Sequence, residues 1–439
     1  MPDLRAKVTA DLSTDPFWWD EASPLDKQDP IPATTDVLVI GGGYTGLGAA
    51  LELARGGAEV SVLEAERFGS GASSRNGGLI SSGMNVGKGA NTAAIHGQAR
   101  VDAMLAEANA AYMHLQEIIS REGIRCHIAE PGRFVPAHCP AAYEALATRV
   151  DMLNRLTGAK AWMLPRIDQH RELASDYYFG GMICERSGGL HPGLLVRGLA
   201  LAAAHAGAQL HSNCPAGRIA RTSTGFLVET PRGGIKAREI LLATNGYTGT
   251  NTRWHRRRLF PVRSHIIATE ELGRARVGEL FPNFRMISDT KRMLFYFRPS
   301  PDGRRILFGG RAGIGDVEPE IAAPALRRNL ISIFPQLADV RLTHSWVGNV
   351  ALTFDRLPHI GNHEGLRFAL GCNGSGVVMM TWLGHQVALQ MLGRGGPPSA
   401  YAGIKMPSMP LYTGNPWVLP VVGAWYIARD RFDRWRVGV

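Results

Sequence analysis

Cysteine is scarce and poorly placed for chemistry. The five residues, Cys126, Cys139, Cys184, Cys214 and Cys372, are odd in number, scattered, and form no CxxC pair. That pattern argues against a disulfide framework or a zinc site, and for a reducing compartment. Long apolar runs are missing too: none reaches the ~18 residues of a membrane span, and no charged start leads into an apolar signal core. A cytoplasmic protein without a membrane span is expected. HExxH, GxSxG and GxxxxGK[ST] are all absent, which removes the usual signatures of zinc proteases, serine hydrolases and P-loop enzymes. Neither a metal site nor a protein nucleophile is expected. Acid is short relative to base, 38 Asp plus Glu against 48 Lys plus Arg, for a net charge of +10. Such an excess is open to an anionic ligand, a nucleic acid or a membrane surface. The most basic run, Arg253-Trp-His-Arg-Arg-Arg258, is short, and no nucleic-acid-binding motif accompanies it. It is read as a solvated face, with no nucleic-acid partner.

Glycine, by contrast, is plentiful, with 52 residues among 439. An apolar share of 45% and a charged share of 20% are those of a globular chain long enough for two domains. Asp36-Val-Leu-Val-Ile40 has the pattern of a buried parallel strand. Gly41, Gly43 and Gly46 follow at GxGxxG spacing, with Tyr44 and Thr45 between them where a helix should begin. Gly41 allows the tight turn, Gly43 lets the backbone approach a pyrophosphate, and Gly46 lets helix and strand pack closely. The free N–H groups at the helix start and its dipole face the phosphates. Val60–Leu63 is a second strand, and Glu64, followed by Ala65, closes it where an acid would take the ribose hydroxyls.

That motif suits a nicotinamide or a flavin dinucleotide. The next stretch favours flavin. Gly71-Ala72-Ser73-Ser74-Arg75-Asn76-Gly77-Gly78 is a run of small residues where a nicotinamide domain would continue into a helix and strand. Such a loop suggests backbone lying along an extended FAD. DVLVIGGGYTGLGAALELA followed by GSGASSRNGG resembles the D-amino-acid-oxidase-like FAD oxidoreductases, and within them the gamma-glutamylputrescine oxidoreductase type of amine oxidase.

The resemblance implies an α/β fold: a Rossmann-like FAD-binding domain (glutathione-reductase-like, p-hydroxybenzoate-hydroxylase type) interwoven with an antiparallel-sheet substrate domain. Residues 1–32 then form a polar leader, with Phe17-Trp18-Trp19 anchoring it on the body. Residues 33–122, 186–252 and 344–396 form the FAD domain, residues 123–185 and 253–343 the substrate domain, and 397–439 a C-terminal extension. The periodicity predicts one long helix over 92–121, a helical stretch over 142–156 and another helix over 194–206. Strands are expected over 124–134, 182–184, 259–270, 292–297 and 305–309. An amphipathic end over 417–435 should pack on the body rather than on a membrane. In the family, the turn containing Ala216 passes the adenine and an Ala243-Thr244 pair lies near the dinucleotide. Phe368 to Val378 reads as a strand, a glycine turn and a helix start. Gly371, Asn373, Gly374, Ser375, Gly376, Val377 and Val378 make up that second turn, which in the family faces the flavin ring.

With no protein nucleophile in view, the flavin would carry the redox step. A neutral amine can give hydride to flavin N5 and leave an iminium that water hydrolyses. That chemistry needs orientation more than an acid–base triad. D-amino-acid and glycine oxidases resemble the stretch Trp346-Val-Gly-Asn349 as Trp-x-Gly-x-Arg-Pro, where the arginine clamps the substrate carboxylate. Here the stretch continues Asn349-Val-Ala, without that arginine. The expected substrate is therefore a small-molecule amine, primary or secondary, or an N-substituted amino acid whose carboxylate lies elsewhere. Arg298 and Arg311 are candidate anion contacts, and His265, Tyr296, His344 and Asn349 candidate positioning residues. The FAD is expected to be non-covalent, because Ser73-Ser74-Arg75-Asn76 offers no linking His. Oxygen, giving hydrogen peroxide, is the expected acceptor. A dehydrogenase of amines or hydroxy acids passing electrons to a quinone or carrier protein, and a tRNA-modifying flavoprotein module, are the alternatives.

Overall fold

A strand apolar on both faces is stable only inside a sheet covered on both sides. The computed structural model describes residues 8–86, 92–311 and 316–437. In it, the first such run is the strand Thr34–Ile40, paired parallel with Val60–Leu63 and with Gly233–Leu242. Gln209–His211 extends the sheet past Val60–Leu63, and the antiparallel strands Gly225–Thr230 and Ile219–Thr222 extend it past Gly233–Leu242. Leu366–Leu370 pairs parallel with the end of Gly233–Leu242 and antiparallel with His359–His363. The helices Tyr44–Arg55, Pro192–His205 and Thr381–Met391 cover this sheet. Leu47, Leu53, Leu195, Leu199 and Leu383 are each fully buried in one apolar core with it. Each such leucine contributes roughly 2 kcal/mol through burial.

A nine-stranded sheet forms the second layer. Its order is Val8–Ser13, Leu342–Leu352, Phe260–Thr269, Ile306–Gly310, Tyr296–Pro299, Met286–Ser288, Arg133–Pro136, Gly181–Cys184 and Ala161–Leu164. Alternation along its strands divides it sharply. Phe134, Ile183, Ile267, Ile287, Phe297 and Phe308 enter an aromatic core behind the sheet, closed by the helix Pro319–Ile333. Val135, Ser288, Tyr296 and Gly348 face the other way, over the first sheet.

Several boundaries differ from the sequence reading. The leader is not all loop: Val8–Ser13 pairs parallel with Leu342–Leu352 and becomes an edge of the roof. Residues 344–352, assigned by sequence to the FAD domain, lie in that same roof strand. The long helix over 92–121 is two, Thr92–His96 and Gln98–Arg121, because Gly97 sits at φ +82°, outside helical space. The stretch over 142–156 is likewise two helices, Pro140–Ala147 and Val150–Thr157. Of the strand expected over 124–134 only the last two residues are extended, as the start of Arg133–Pro136. His127 at φ +48° breaks the extended run before it. Phe17-Trp18-Trp19 does anchor the leader: Trp18 is fully buried and its Nε1 donates to the Asn76 carbonyl at 2.9 Å.

Candidate active site

Between the two sheets lies a cleft of about 1890 Å³, and both glycine turns line it. Gly41 sits at φ +111°, and a Cβ there would come 2.7 Å from the Ala243 carbonyl oxygen. Only glycine allows that turn against the neighbouring strand end. The helix Tyr44–Arg55 then starts at Gly43, which has no side chain to cap it; Tyr44 N–H donates to Ser73 Oγ at 3.1 Å, and the remaining N–H groups of the first turn stay available to a ligand. Gly46 does not reach the cleft. A Cβ there would lie 2.0 Å from the Gly41 carbonyl oxygen and 3.0 Å from Val39 Cγ1, so this glycine closes helix on strand.

Glu64 lines the cleft where Val60–Leu63 ends, with Ala65 beside it. Its carboxylate accepts from the backbone N–H groups of Gly42 at 2.8 Å and Glu66 at 3.1 Å. Burial pushes this carboxyl above its ordinary range, while those two N–H groups pull it back. Gly71, Ala72, Ser73, Arg75, Asn76 and Gly77 run along the same wall. The loop is clamped from outside. Trp346 Nε1 donates to the Arg75 carbonyl at 3.0 Å, Arg75 Nη1 donates to the Val347 carbonyl at 3.2 Å, and Trp19 Nε1 donates to Ser74 Oγ at 2.7 Å. Asn76 uses its amide on the loop itself, donating to the carbonyls of Ala72 and Ser73 and accepting from Gly78 N–H. Ser74 and Gly78 face inward, behind the wall. Ala216, Ala243 and Thr244 also line the cleft.

The second turn contributes Asn373, Gly374, Ser375, Gly376, Val377 and Val378 to the cleft. The wide helical turn Gly376–Met380 also starts without a side-chain cap, giving a second set of donors. Gly371 lies behind it, its N–H donating to Asn245 Oδ1 at 2.9 Å. Two helix starts facing one long channel, with an acid at a strand end beside the first, suit an extended FAD.

The roof residues divide. Tyr296 lines the cleft, its hydroxyl 2.9 Å from Ser264 Oγ, and burial holds the phenol up at about 12, so it stays protonated. Arg311 also lines the cleft; burial, with Arg356 beside it, lowers its basicity. Asn349 lies at the rim, out of phase with Trp346 and Gly348, and backs onto Gly246. Three candidates turn elsewhere. Arg298 is 2% exposed and donates to the carbonyls of Leu190 at 2.9 Å and Pro299 at 3.0 Å, so its guanidinium holds backbone together. His265 Nε2 faces the Val317 carbonyl at 2.8 Å. His344 sits beside Thr343 and Asp20, packed on Phe17. None of these three lines the cleft, because strand alternation or carbonyl capping directs each away.

Sequence reasoning missed Asn245, whose side chain braces the second glycine turn, and Asn85, whose Nδ2 donates to Ser375 Oγ at 2.9 Å. It also missed Arg133 on the cleft wall. The first two brace the turn across long sequence separations, which no local pattern announces. For Arg133 the signal was its phase, in step with Val135 and out of step with core Phe134.

A sequence model of the family described as DAO, FAD dependent oxidoreductase, matches residues 36–390. A protein described as "Probable oxidoreductase OrdL" from Rhizobium meliloti (strain 1021) is 32% identical over 421 residues, covering 94% of this chain and 97% of its own. Gamma-glutamylputrescine oxidoreductase of Escherichia coli (strain K12) is 30% identical over 410 residues, covering 91% of this chain and 93% of its own. The solved structure of glycine oxidase from Geobacillus kaustophilus superposes with a TM-score of 0.70 at 22% identity, covering 84% of this chain and 97% of that one. That last likeness is one of fold.

Proposed function

The chain belongs to the DAO family of FAD-dependent oxidoreductases, and from that premise we propose that it oxidises a C–N bond of a primary or secondary amine or of an N-substituted amino acid. When bound, the flavin supplies the hydride acceptor at N5 and returns the electron pair to dioxygen as hydrogen peroxide. The chain's own residues then position and enclose. Tyr296 and Ser264 present hydroxyls from the roof, and Val135, Val262 and Val350 supply apolar wall. An apolar wall favours the uncharged amine, the form that can release hydride. The iminium product leaves and is hydrolysed by water to a carbonyl compound and an amine.

The observation that supports this reading is the convergence of Gly43, Gly374 and Tyr296 on one cleft. Relatives whose names specify amine or glycine oxidation support it further. An anaerobic screen of amines, polyamines and N-methyl amino acids tests it through bleaching of the flavin absorption. Bleaching by amines, followed by peroxide release in air, is expected. Bleaching by ordinary α-amino acids alone would overturn the substrate class. Dye reduction without peroxide would replace oxygen with another acceptor.

A further inference from the structure

Arg133 opens the roof strand Arg133–Pro136 and turns to the cleft while its neighbour Phe134 enters the core behind the sheet. It is 4% exposed, and its Nε has no hydrogen-bond partner. Among the described residues no carboxylate, carbonyl or ring answers the guanidinium. Burial lowers it only to about 10, so it carries its charge at neutral pH. A buried charge without a partner is strongly destabilising, and a ligand anion is the remaining way to complete it.

Its neighbours on the wall show how unusual this is. Arg149 donates to the Val86 carbonyl at 2.8 Å. Arg263 faces Glu318 at 3.2 Å. Behind the wall, Arg298, equally buried, is held by carbonyls. Arg311 is only partly buried and Arg356 is exposed, so water reaches both. Arg133 has no such partner, and its Nε is shut away from water.

Its place in the roof gives the ligand a direction. Arg133 pairs with Met286, and the next residues of the same face are Val135, Ser288 and Tyr296. Tyr296 lies two strands away and two residues further along, about 12 Å by ordinary strand spacing and rise, and packs against Gly77 of the cofactor loop. A planar guanidinium with free N–H groups suits a carboxylate held by two parallel hydrogen bonds. We propose that Arg133 binds a substrate carboxylate, and that the enzyme takes amines whose carboxylate is remote from the C–N bond being oxidised. This rests on the reading of the cleft as an amine-oxidation site.

The test compares ω-amino carboxylates of four to eight carbons with the corresponding ω-amino amides, in the wild-type holoenzyme and in Arg133→Met and Arg133→Lys. Valerate serves as a carboxylate that cannot be oxidised, its binding read by flavin absorption and calorimetry. Wild type is expected to prefer the acid over the amide in kcat/KM. Arg133→Met should lower that preference about 30- to 100-fold, the loss of a charged hydrogen-bonded pair, mostly through KM. Arg133→Lys should recover part of it. Valerate binding should fall in parallel. Equal acid and amide rates in wild type would overturn the proposal, as would valerate binding unchanged in Arg133→Met. Loss of FAD in that variant with valerate binding intact would assign the guanidinium to the cofactor and also overturn it. Inorganic phosphate displacing valerate at equal concentration would overturn the carboxylate assignment. If no amine bleaches the flavin yet valerate binds wild type and not Arg133→Met, the amine reading fails and the carboxylate site stands. Should Arg133→Met not fold, valerate affinity in Arg133→Lys decides alone: weakened supports the site, unchanged overturns it.

Discussion

At the scale of single residues, space is what limits the cofactor turn. Gly46 has no room for a Cβ: its nearest neighbour would be the Gly41 carbonyl oxygen at 2.0 Å, backbone that cannot swing aside. Gly46→Ala must push the helix off the strand, and overpacking of this kind costs about 1–3 kcal/mol. Because that helix start also supplies the cofactor donors, FAD affinity should fall at least about tenfold, on the same energy scale. Fluorescence titration of the flavin-free variant checks it, and wild-type affinity would contradict the packing role. This glycine was legible in the sequence because its reason lies within a few residues of chain. Asn76 was legible only in part: the sequence put it in the cofactor loop, while its amide in fact ties that loop to the carbonyls of Ala72 and Ser73. Arg133 was legible only in its phase along the strand, since a charge is unanswered only by virtue of what three dimensions leave out around it.

At the scale of elements, the two chain ends act on the cleft from opposite sides. The leader's Trp18 supports Asn76 from outside, and Trp18→Ala should cost about 3–5 kcal/mol, the price of a fully buried large aromatic. A lowered urea midpoint together with faster flavin loss is the expected outcome. The C-terminal helix Leu419–Trp435 is held by Asp430, which is 5% exposed and accepts from Arg292 N at 3.1 Å, Met293 N at 2.9 Å and Arg292 Nη1 at 3.0 Å. Tyr426, Arg429 and Asp433 of that helix line the cleft mouth. Asp430→Ala leaves the buried Met293 N–H and the half-buried Arg292 N–H without their acceptor, while the Arg292 guanidinium keeps Asp433 at 2.7 Å, about 1–3 kcal/mol against helix docking. Limited proteolysis should then cut within 397–418, and KM should rise more than kcat falls. A protease pattern like that of wild type would show that other contacts hold the helix. Elements of this kind were partly readable. The amphipathic end announced itself by its period, but the strand Val8–Ser13 did not, because it pairs with Leu342–Leu352, more than three hundred residues away in sequence. The single helix expected over 92–121 failed at Gly97, where one residue's φ outweighs an uninterrupted apolar stripe.

Over the whole molecule, stability should depend on pH through histidines buried as neutral rings. Burial lowers His114 and His191 to about 4 and His255 to about 3, from an ordinary 6.5. His385 adds to the effect at His114, and His363 and Arg258 add to it at His255. As pH falls below 6.5 the unfolded chain takes up protons that the folded chain refuses, so the stability these rings contribute is complete above 6.5 and lost on the way to pH 4. Each is worth on the order of 3–5 kcal/mol at full loss. Asp289 opposes them: burial raises it from 3.8 to about 6, so the folded state binds its proton first and gains stability across that same window. Three rings against one carboxyl leave a net fall in Tm between pH 6.5 and 4.5, measurable by calorimetry on the holoenzyme. A flat profile would mean that these rings open to water before the fold does. The cofactor enters the same balance. FAD bound only by the folded state at a hundredfold over its Kd adds about 2.7 kcal/mol, so excess FAD should raise Tm at neutral pH. Acid strong enough to unfold the chain should release it, since Ser73 to Asn76 offers no linking side chain and the Cys372 thiol faces the Ala351 carbonyl. A colourless precipitate under a yellow supernatant is the expected result; colour retained on the precipitated protein would mean a covalent link.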